Sequence, residues 1–152
     1  MDKIPKVLFL ARGNASRAHM AEGFLRHLAG NRFAPFSAGT ESTDVSPLAT
    51  EVMSEAGVDI STQRSREIAS LFRETFHYVV VLCDPPRERH PLYPFARNLV
   101  KWSVPNPEVG NGGPNGRKHG FRQVRDQLRS RVEELVQTMN QSGFANVQTA
   151  AA

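Results

Sequence analysis

The sequence predicts an α/β fold of three layers, with helices on both faces of a four-stranded parallel sheet. Strand-like and helix-like segments alternate from one end of the chain to the other, as in a parallel sheet with helical crossovers. The run at 78–82 is apolar, β-branched and unalternating, which is typical of a central strand buried on both faces. With 152 residues, 39% of them hydrophobic, the chain is long enough for one domain with its own core.

The first elements are a strand, a tight turn, a helix and a second strand. Residues 6–10 form an apolar run of strand-forming residues, and Gly13 with Asn14 supplies the turn after it. From 16 to 28 the apolar residues recur every three or four positions, which predicts a helix. The run at 33–38 predicts the second strand.

The middle of the chain contains two further predicted helices. Ser46 followed by Pro47 is the pattern of an N-cap and a proline in the first helical turn, and Gly57 ends this helix. A short helix is predicted at 65–72, before the central strand.

The last third of the chain predicts a weaker strand at 98–102, a long loop and one long helix. Residues 105–116 are rich in proline, glycine and asparagine, which predicts the loop. Helical periodicity runs from about 118 to 139. We therefore expect one domain over residues 1–140 and a disordered tail over 141–152, which carries no charge.

Composition excludes several classes of protein. The apolar runs are far shorter than the roughly 20 residues of a membrane span, and the amino terminus has no signal-peptide pattern. We expect a cytoplasmic protein without a membrane partner. Cys83 is the only cysteine, so an internal disulfide is excluded. No cofactor is expected, and no metal either, because the five histidines are too widely spaced to form a site (His19, His27, His77, His90 and His119).

The basic surplus is local. The formal net charge is +4, but residues 85–132 contain ten basic and three acidic groups. Such a segment suits an anionic partner, although a solvated helix face has the same composition. Because no nucleic-acid-binding motif accompanies it, we expect no nucleic-acid partner and keep a basic nucleic-acid-associated protein as an alternative.

The loop after the first strand has the features of an anion site. A strand-to-helix loop directs several backbone N–H groups at one point, and the helix dipole adds positive potential there. Arg17 adds a planar guanidinium that suits phosphate. On these residues alone an ordinary turn with a solvated arginine explains the pattern equally well.

Residues 7–26, from Val7 to Arg26, resemble the phosphate-binding loop and first helix of the low-molecular-weight protein tyrosine phosphatase superfamily. They are most similar to the thioredoxin-coupled arsenate reductases. The likeness covers roughly residues 5–136, with further matching stretches at 37–39, 47–49, 57–61, 63–65, 79–84 and 124–126. The resemblance implies the same fold.

The chain departs from this family in its catalytic positions. The family signature is a cysteine, five residues, an arginine and then Ser or Thr. Matching Arg17 to the arginine places Ala11 at the nucleophile and Ala18 at the hydroxyl. The general acid, an aspartate before a proline, corresponds to Asn106. A methyl group cannot attack phosphorus or arsenic, and a carboxamide cannot deliver a proton.

Two further positions of the resemblance concern redox chemistry and proton transfer. The reductases carry a cysteine pair on their third loop, and here Cys83 matches the first member and His90 occupies the second. Glu108 is expected to replace the missing acid only if its loop moves. Ser16 is expected to cap the first helix.

The anion-binding half of the site remains in the sequence, in Arg12, Gly13, Asn14, Ala15, Ser16 and Arg17. We expect a catalytically impaired member that binds phosphate, sulfate, arsenate or a phosphorylated ligand, with a regulatory role or a protein partner. The alternative is an active phosphatase or arsenate reductase in which Ala11 and Asn106 were introduced to trap substrate.

Overall fold

The computed structural model describes residues 4–11, 16–39, 44–64, 66–71, 74–83, 96–109 and 113–141. The strands are β1 (Lys6–Ala11), β2 (Ala34–Gly39), β3 (Arg66–Glu67), β4 (Phe76–Cys83) and β5 (Ala96–Ser103). The helices are α1 (Ser16–Ala29), α2 (Pro47–Glu55) and α3 (Gly113–Gln141), with 3₁₀ helices at Ile68–Leu71 and Pro107–Val109. No helix in these ranges is both long enough and apolar enough to cross a membrane.

The sheet is parallel throughout, in the order β3-β2-β1-β4-β5. The predicted four-stranded parallel sheet is therefore confirmed in β2, β1, β4 and β5. The two-residue strand β3 extends it at one edge by pairing with Ala38 and Gly39 at the end of β2.

Alternate residues of the central strands supply two apolar clusters, one on each face of the sheet. On one face, β1 and β4 pack against all three α-helices through residues such as Phe9, Val80 and Phe24. On the other face, Leu8 and Val79 pack with Leu71 of the first 3₁₀ helix. The strands are buried on both sides, as their unalternating apolar runs predict.

The second helix begins as its sequence predicts. The backbone of Ser46 is extended, its hydroxyl accepts a hydrogen bond from the N–H of Ala49 at 3.4 Å, and Pro47 is the first helical residue. Gly57 follows the helix with a φ of +79°, in the left-handed region that glycine adopts without strain.

Two predicted elements are wrong. The short helix predicted at 65–72 is strand β3 followed by the 3₁₀ helix Ile68–Leu71, because the backbone of 66–67 pairs with the end of β2. The loop predicted at 105–116 contains the 3₁₀ helix Pro107–Val109 and the first turn of α3. Pro114 lies in that first turn, where a missing N–H removes no helical hydrogen bond, so the proline does not exclude a helix.

The basic surplus of α3 is partly neutralised by α2. Lys118 contacts Glu51 at 2.5 Å, and Arg122 and Arg125 contact Glu55 at 2.7 and 2.8 Å. Among the basic groups of residues 85–132 that the structure describes, these three are thus paired with acidic groups of α2.

Candidate functional site

The carboxyl ends of the strands meet at one edge of the sheet, where ligands bind in folds of this class. Ala11 is the last residue of β1, and it pairs with Gly39 of β2 on one side and Leu82 of β4 on the other. Ala11 and Cys83 are both fully buried. The resemblance assigns the nucleophile to position 11, where Ala11 has only a methyl group. This position lies at the centre of the edge, because β1 is the middle strand of the sheet.

Arg17 lies in the first turn of α1 and is fully buried. Its Nη1 donates a hydrogen bond to the carbonyl oxygen of Val104 at 3.0 Å. The N–H of Val104 in turn donates to the carbonyl oxygen of Cys83 at 2.9 Å. These contacts join the start of α1 to the ends of β4 and β5. They also hold the guanidinium of Arg17 at the edge of the sheet where β1 ends with Ala11.

Glu108 reaches the same end of α1. The hydroxyl of Ser16, the first residue of the helix, donates a hydrogen bond to Oε1 of Glu108 at 2.8 Å. The N–H of Glu108 donates to Oδ1 of Asn106 at 3.0 Å, which fixes the turn of the chain before the carboxylate. The expectation that Glu108 replaces the missing acid only if its loop moves stays a prediction; in the structure its carboxylate contacts Ser16 from the 3₁₀ helix Pro107–Val109.

The sequence contained only a weak indication of this contact. Asn106 followed by Pro107 is a turn-forming pair, and Asn side chains commonly accept hydrogen bonds from the backbone two residues later. The pair predicts a turn, but it does not predict which helix the following carboxylate contacts, 92 residues earlier in the chain.

The structure brings together part of the predicted site. Ala11, Ser16, Arg17 and Asn106 all lie at the carboxyl edge of the sheet. Arg12, Gly13, Asn14, Ala15 and His90 lie outside the described residues, so their parts in anion binding or redox chemistry stay predictions. The capping role of Ser16 also stays a prediction; its hydroxyl proton is used by Glu108.

A second polar network holds α1 in place behind the site. The buried carboxylate of Glu22 accepts hydrogen bonds from the Ser37 hydroxyl of β2 and from Arg26. Arg26 also donates to Oε1 of Gln63 at 2.8 Å, and Nε2 of Gln63 donates to the carbonyl oxygen of His19 at 2.8 Å. This chain of contacts fixes α1 against β2 and the segment before β3.

His19 is an unusual buried group in this helix. It is fully buried, and neither ring nitrogen has a hydrogen-bond partner among the residues that the structure describes. Burial disfavours the charged imidazolium and lowers the pKa of His19 from 6.5 to about 4. The ring is therefore neutral at physiological pH. Over the described ranges, no group of three or more His, Cys, Asp or Glu side chains is placed to hold a metal ion.

Comparison with known proteins identifies one family and close structural relatives. The profile of the family "Low molecular weight phosphotyrosine protein phosphatase" matches residues 6–145. The chain is 33% identical over 132 residues to an arsenate reductase of Shouchella clausii and 32% identical to one of Bacillus subtilis, in each case across 87% of this chain and 95% of the relative.

Solved structures agree with these sequence relatives. A structure described as an arsenate reductase in the phosphate binding state superimposes with a TM-score of 0.73 at 32% identity, covering 89% of this chain and 98% of that one. An arsenate reductase in the oxidized state gives a TM-score of 0.76, with 90% and 99% covered. Wzb of Vibrio vulnificus, in complex with benzylphosphonate, gives 0.67 at 17% identity and shares the fold.

Proposed function

The chain belongs to the low molecular weight phosphotyrosine protein phosphatase family, and on that premise we propose that it binds an oxyanion without turning it over. The proposal is supported by Ala11, which ends β1 and which the resemblance places at the family's nucleophilic cysteine, and by Arg17, which is buried at the same edge of the sheet. The ligand class is phosphate, sulfate, arsenate or a phosphorylated group.

The residues present do not supply the covalent step of the family. The side chain of Ala11 has no electron pair to attack phosphorus or arsenic, so no covalent intermediate forms there. Cys83 is the only thiol of the chain and is buried at the end of β4. With one thiol, the chain cannot close an intramolecular disulfide, which an internal cysteine relay requires.

Binding, by contrast, does not need the nucleophile. The amino-terminal end of α1 offers backbone N–H groups and the positive end of the helix dipole, and Arg17 adds a cation. A thiolate about 4 Å from a bound anion repels it by about 4 kcal/mol per pair of unit charges at an effective dielectric constant near 20. Replacing that thiolate by the methyl group of Ala11 removes this repulsion. The related arsenate reductase described in a phosphate binding state supports the same ligand class.

Isothermal titration calorimetry tests the proposal. The protein is titrated at low salt with phosphate, arsenate and sulfate, and it is assayed for hydrolysis of an aryl phosphate. We expect saturable heat with at least one of the three anions and no hydrolysis. Arg129→Ala, an exposed arginine on α3, should bind as the parent does, whereas Arg17→Ala should bind at least tenfold more weakly. The absence of binding heat with all three anions contradicts the proposal.

The second candidate is an active phosphatase or arsenate reductase, present here as a variant in which Ala11 and Asn106 were introduced in place of the catalytic cysteine and aspartate to trap substrate. It is favoured by the relatives at 32 and 33% identity, which are described as arsenate reductases. Against it, Ala18, Ser16 and His90 also depart from the reductase pattern, and substrate trapping needs none of these changes.

Restoring the two residues distinguishes the candidates. Under the second candidate, Ala11→Cys combined with Asn106→Asp should give a burst of aryl alcohol release in stopped-flow kinetics. Under the first, the folded double variant should release aryl alcohol no faster than the parent, because other parts of the catalytic machinery are also absent. Circular dichroism of the variant checks that it is folded.

A further inference from the structure

We propose that Glu108 makes the site selective for oxyanions that carry a proton, such as phosphate and arsenate, over sulfate. The inference rests on the oxyanion-binding function proposed above and narrows its ligand class. It assigns a role to a carboxylate that stands two residues after the family's general-acid position, at a place that the resemblance does not assign.

The geometry holds this carboxylate at the end of α1. Oε1 of Glu108 lies 2.8 Å from Oγ of Ser16, the first residue of the helix. The backbone of Glu108 is fixed by its hydrogen bond to Oδ1 of Asn106, and its side chain is half-buried. Arg17, the next residue after Ser16, is held by Val104 in the same segment as Asn106. A negative group therefore contacts the first residue of α1, at the end of the helix where the dipole attracts an anion.

The carboxylate of Glu108 discriminates between anions according to whether they can donate a hydrogen bond. An ionised carboxylate is a hydrogen-bond acceptor only. Near neutral pH, phosphate and arsenate carry a hydroxyl that donates to Glu108, while their other oxygens accept from Arg17 and from backbone N–H groups. Sulfate has only acceptor oxygens, so it meets Glu108 with repulsion and an unmade hydrogen bond. Sites built to accept a hydrogen bond from a ligand hydroxyl discriminate strongly against analogues that lack it.

Calorimetric titration with inorganic phosphate and with sulfate, at pH 7.5 in a low-salt chloride buffer, tests the inference. We expect the parent protein to bind phosphate at least about tenfold more tightly than sulfate, a ratio typical of one charge-assisted hydrogen bond. In Glu108→Gln the amide still accepts from the Ser16 hydroxyl and can also donate to sulfate. The affinity for sulfate should therefore rise and the ratio should fall toward one.

The control variant is Glu134→Gln, which removes the same charge from an exposed position on α3 and should leave the ratio as in the parent. Equal affinities for the two anions in the parent, or an unchanged ratio in Glu108→Gln, would overturn the role of Glu108 while leaving the oxyanion site in place. If no anion binds to the parent or to Glu108→Gln, the proposed function fails and the inference fails with it.

Discussion

The guanidinium of Arg17 donates a hydrogen bond to the carbonyl oxygen of Val104 across 3.0 Å, and the arginine side chain is fully buried. The contact joins residues 87 positions apart and ties the first turn of α1 to the segment that follows β5. The side chain is therefore an internal connection between elements, and it is also the residue that we propose as the cation of the anion site.

Arg17→Ala should lower the free energy of unfolding by about 3 kcal/mol. The substitution leaves a cavity in the interior and removes a hydrogen-bond donor from the carbonyl of Val104. Urea denaturation followed by circular dichroism measures the change. Arg129→Ala, at a side chain 51% exposed, should shift stability by less than about 0.5 kcal/mol. Equal effects of the two substitutions would contradict the internal role of Arg17.

His19→Leu should remove part of the loss of stability that acid causes. Burial disfavours the imidazolium and lowers the pKa of His19 to about 4 in the folded protein, from 6.5 for an unperturbed histidine. The unfolded chain thus binds the proton first as the pH falls from 6.5 toward 4, and stability is lost over that window. The contribution of His19 is about 2 kcal/mol between pH 7.5 and pH 5.

The measurement for His19 is the urea midpoint at pH 7.5 and at pH 5. The difference between the two midpoints should be smaller in His19→Leu than in the parent protein. His119→Gln, at an exposed histidine of α3, should leave that difference unchanged. An identical pH dependence in the parent and in His19→Leu would mean that the buried imidazole does not control this acid response.

Glu55→Gln should lower stability at neutral pH and have no effect near pH 2. Hydrogen bonding to Arg122, assisted by Arg125, lowers the pKa of Glu55 from 4.5 to about 2. The folded state therefore keeps this carboxylate ionised when the unfolded state has protonated it, so its contribution is complete above pH 4.5 and is lost as the pH falls toward 2. Thermal or urea midpoints recorded from pH 7 to pH 2 should converge for parent and variant. Parallel curves over the whole range would be inconsistent with the ion pair between α2 and α3.

Gly23→Ala and Gly120→Ala should have opposite effects. A Cβ atom at position 23 of α1 would lie 2.5 Å from Cγ2 of Ile60, a fully buried side chain, whereas at position 120 of α3 nothing lies within 4 Å. We expect Gly23→Ala to destabilise the protein by about 2 kcal/mol through overpacking. Gly120→Ala should stabilise it by about 1 kcal/mol through helix propensity. Urea denaturation measures both, and a stabilising Gly23→Ala would show that α1 does not pack as closely on Ile60 as described.

Most of the fold could be predicted because its determinants are local. The apolar run at 78–82 indicated a buried central strand, and β4 is buried over Tyr78–Cys83 on both faces. Ser46 and Pro47 indicated the start of α2, since capping and proline geometry depend only on neighbouring residues. The strands predicted at 78–82 and 98–102 were shorter than β4 and β5, because pairing between these strands extends both beyond their most apolar residues.

The elements that the sequence did not predict depend on distant partners. Strand β3 exists because the backbone of 66–67 pairs with the end of β2, and its own residues are not strand-like. The first turn of α3 begins within a stretch rich in glycine and proline, where local propensity favours a loop.

The sequence alone determined the alternation of strands and helices and the family resemblance of residues 7–26, and that resemblance implies an alanine and an asparagine at the positions of the family's nucleophile and acid. These features follow from residue identity and from periodicities of two to four residues. Only the tertiary structure decided that Arg17 is buried against Val104 and that Glu108 meets Ser16 at the start of α1, because those partners lie 87 and 92 residues apart and no local pattern specifies which distant groups a fold brings together.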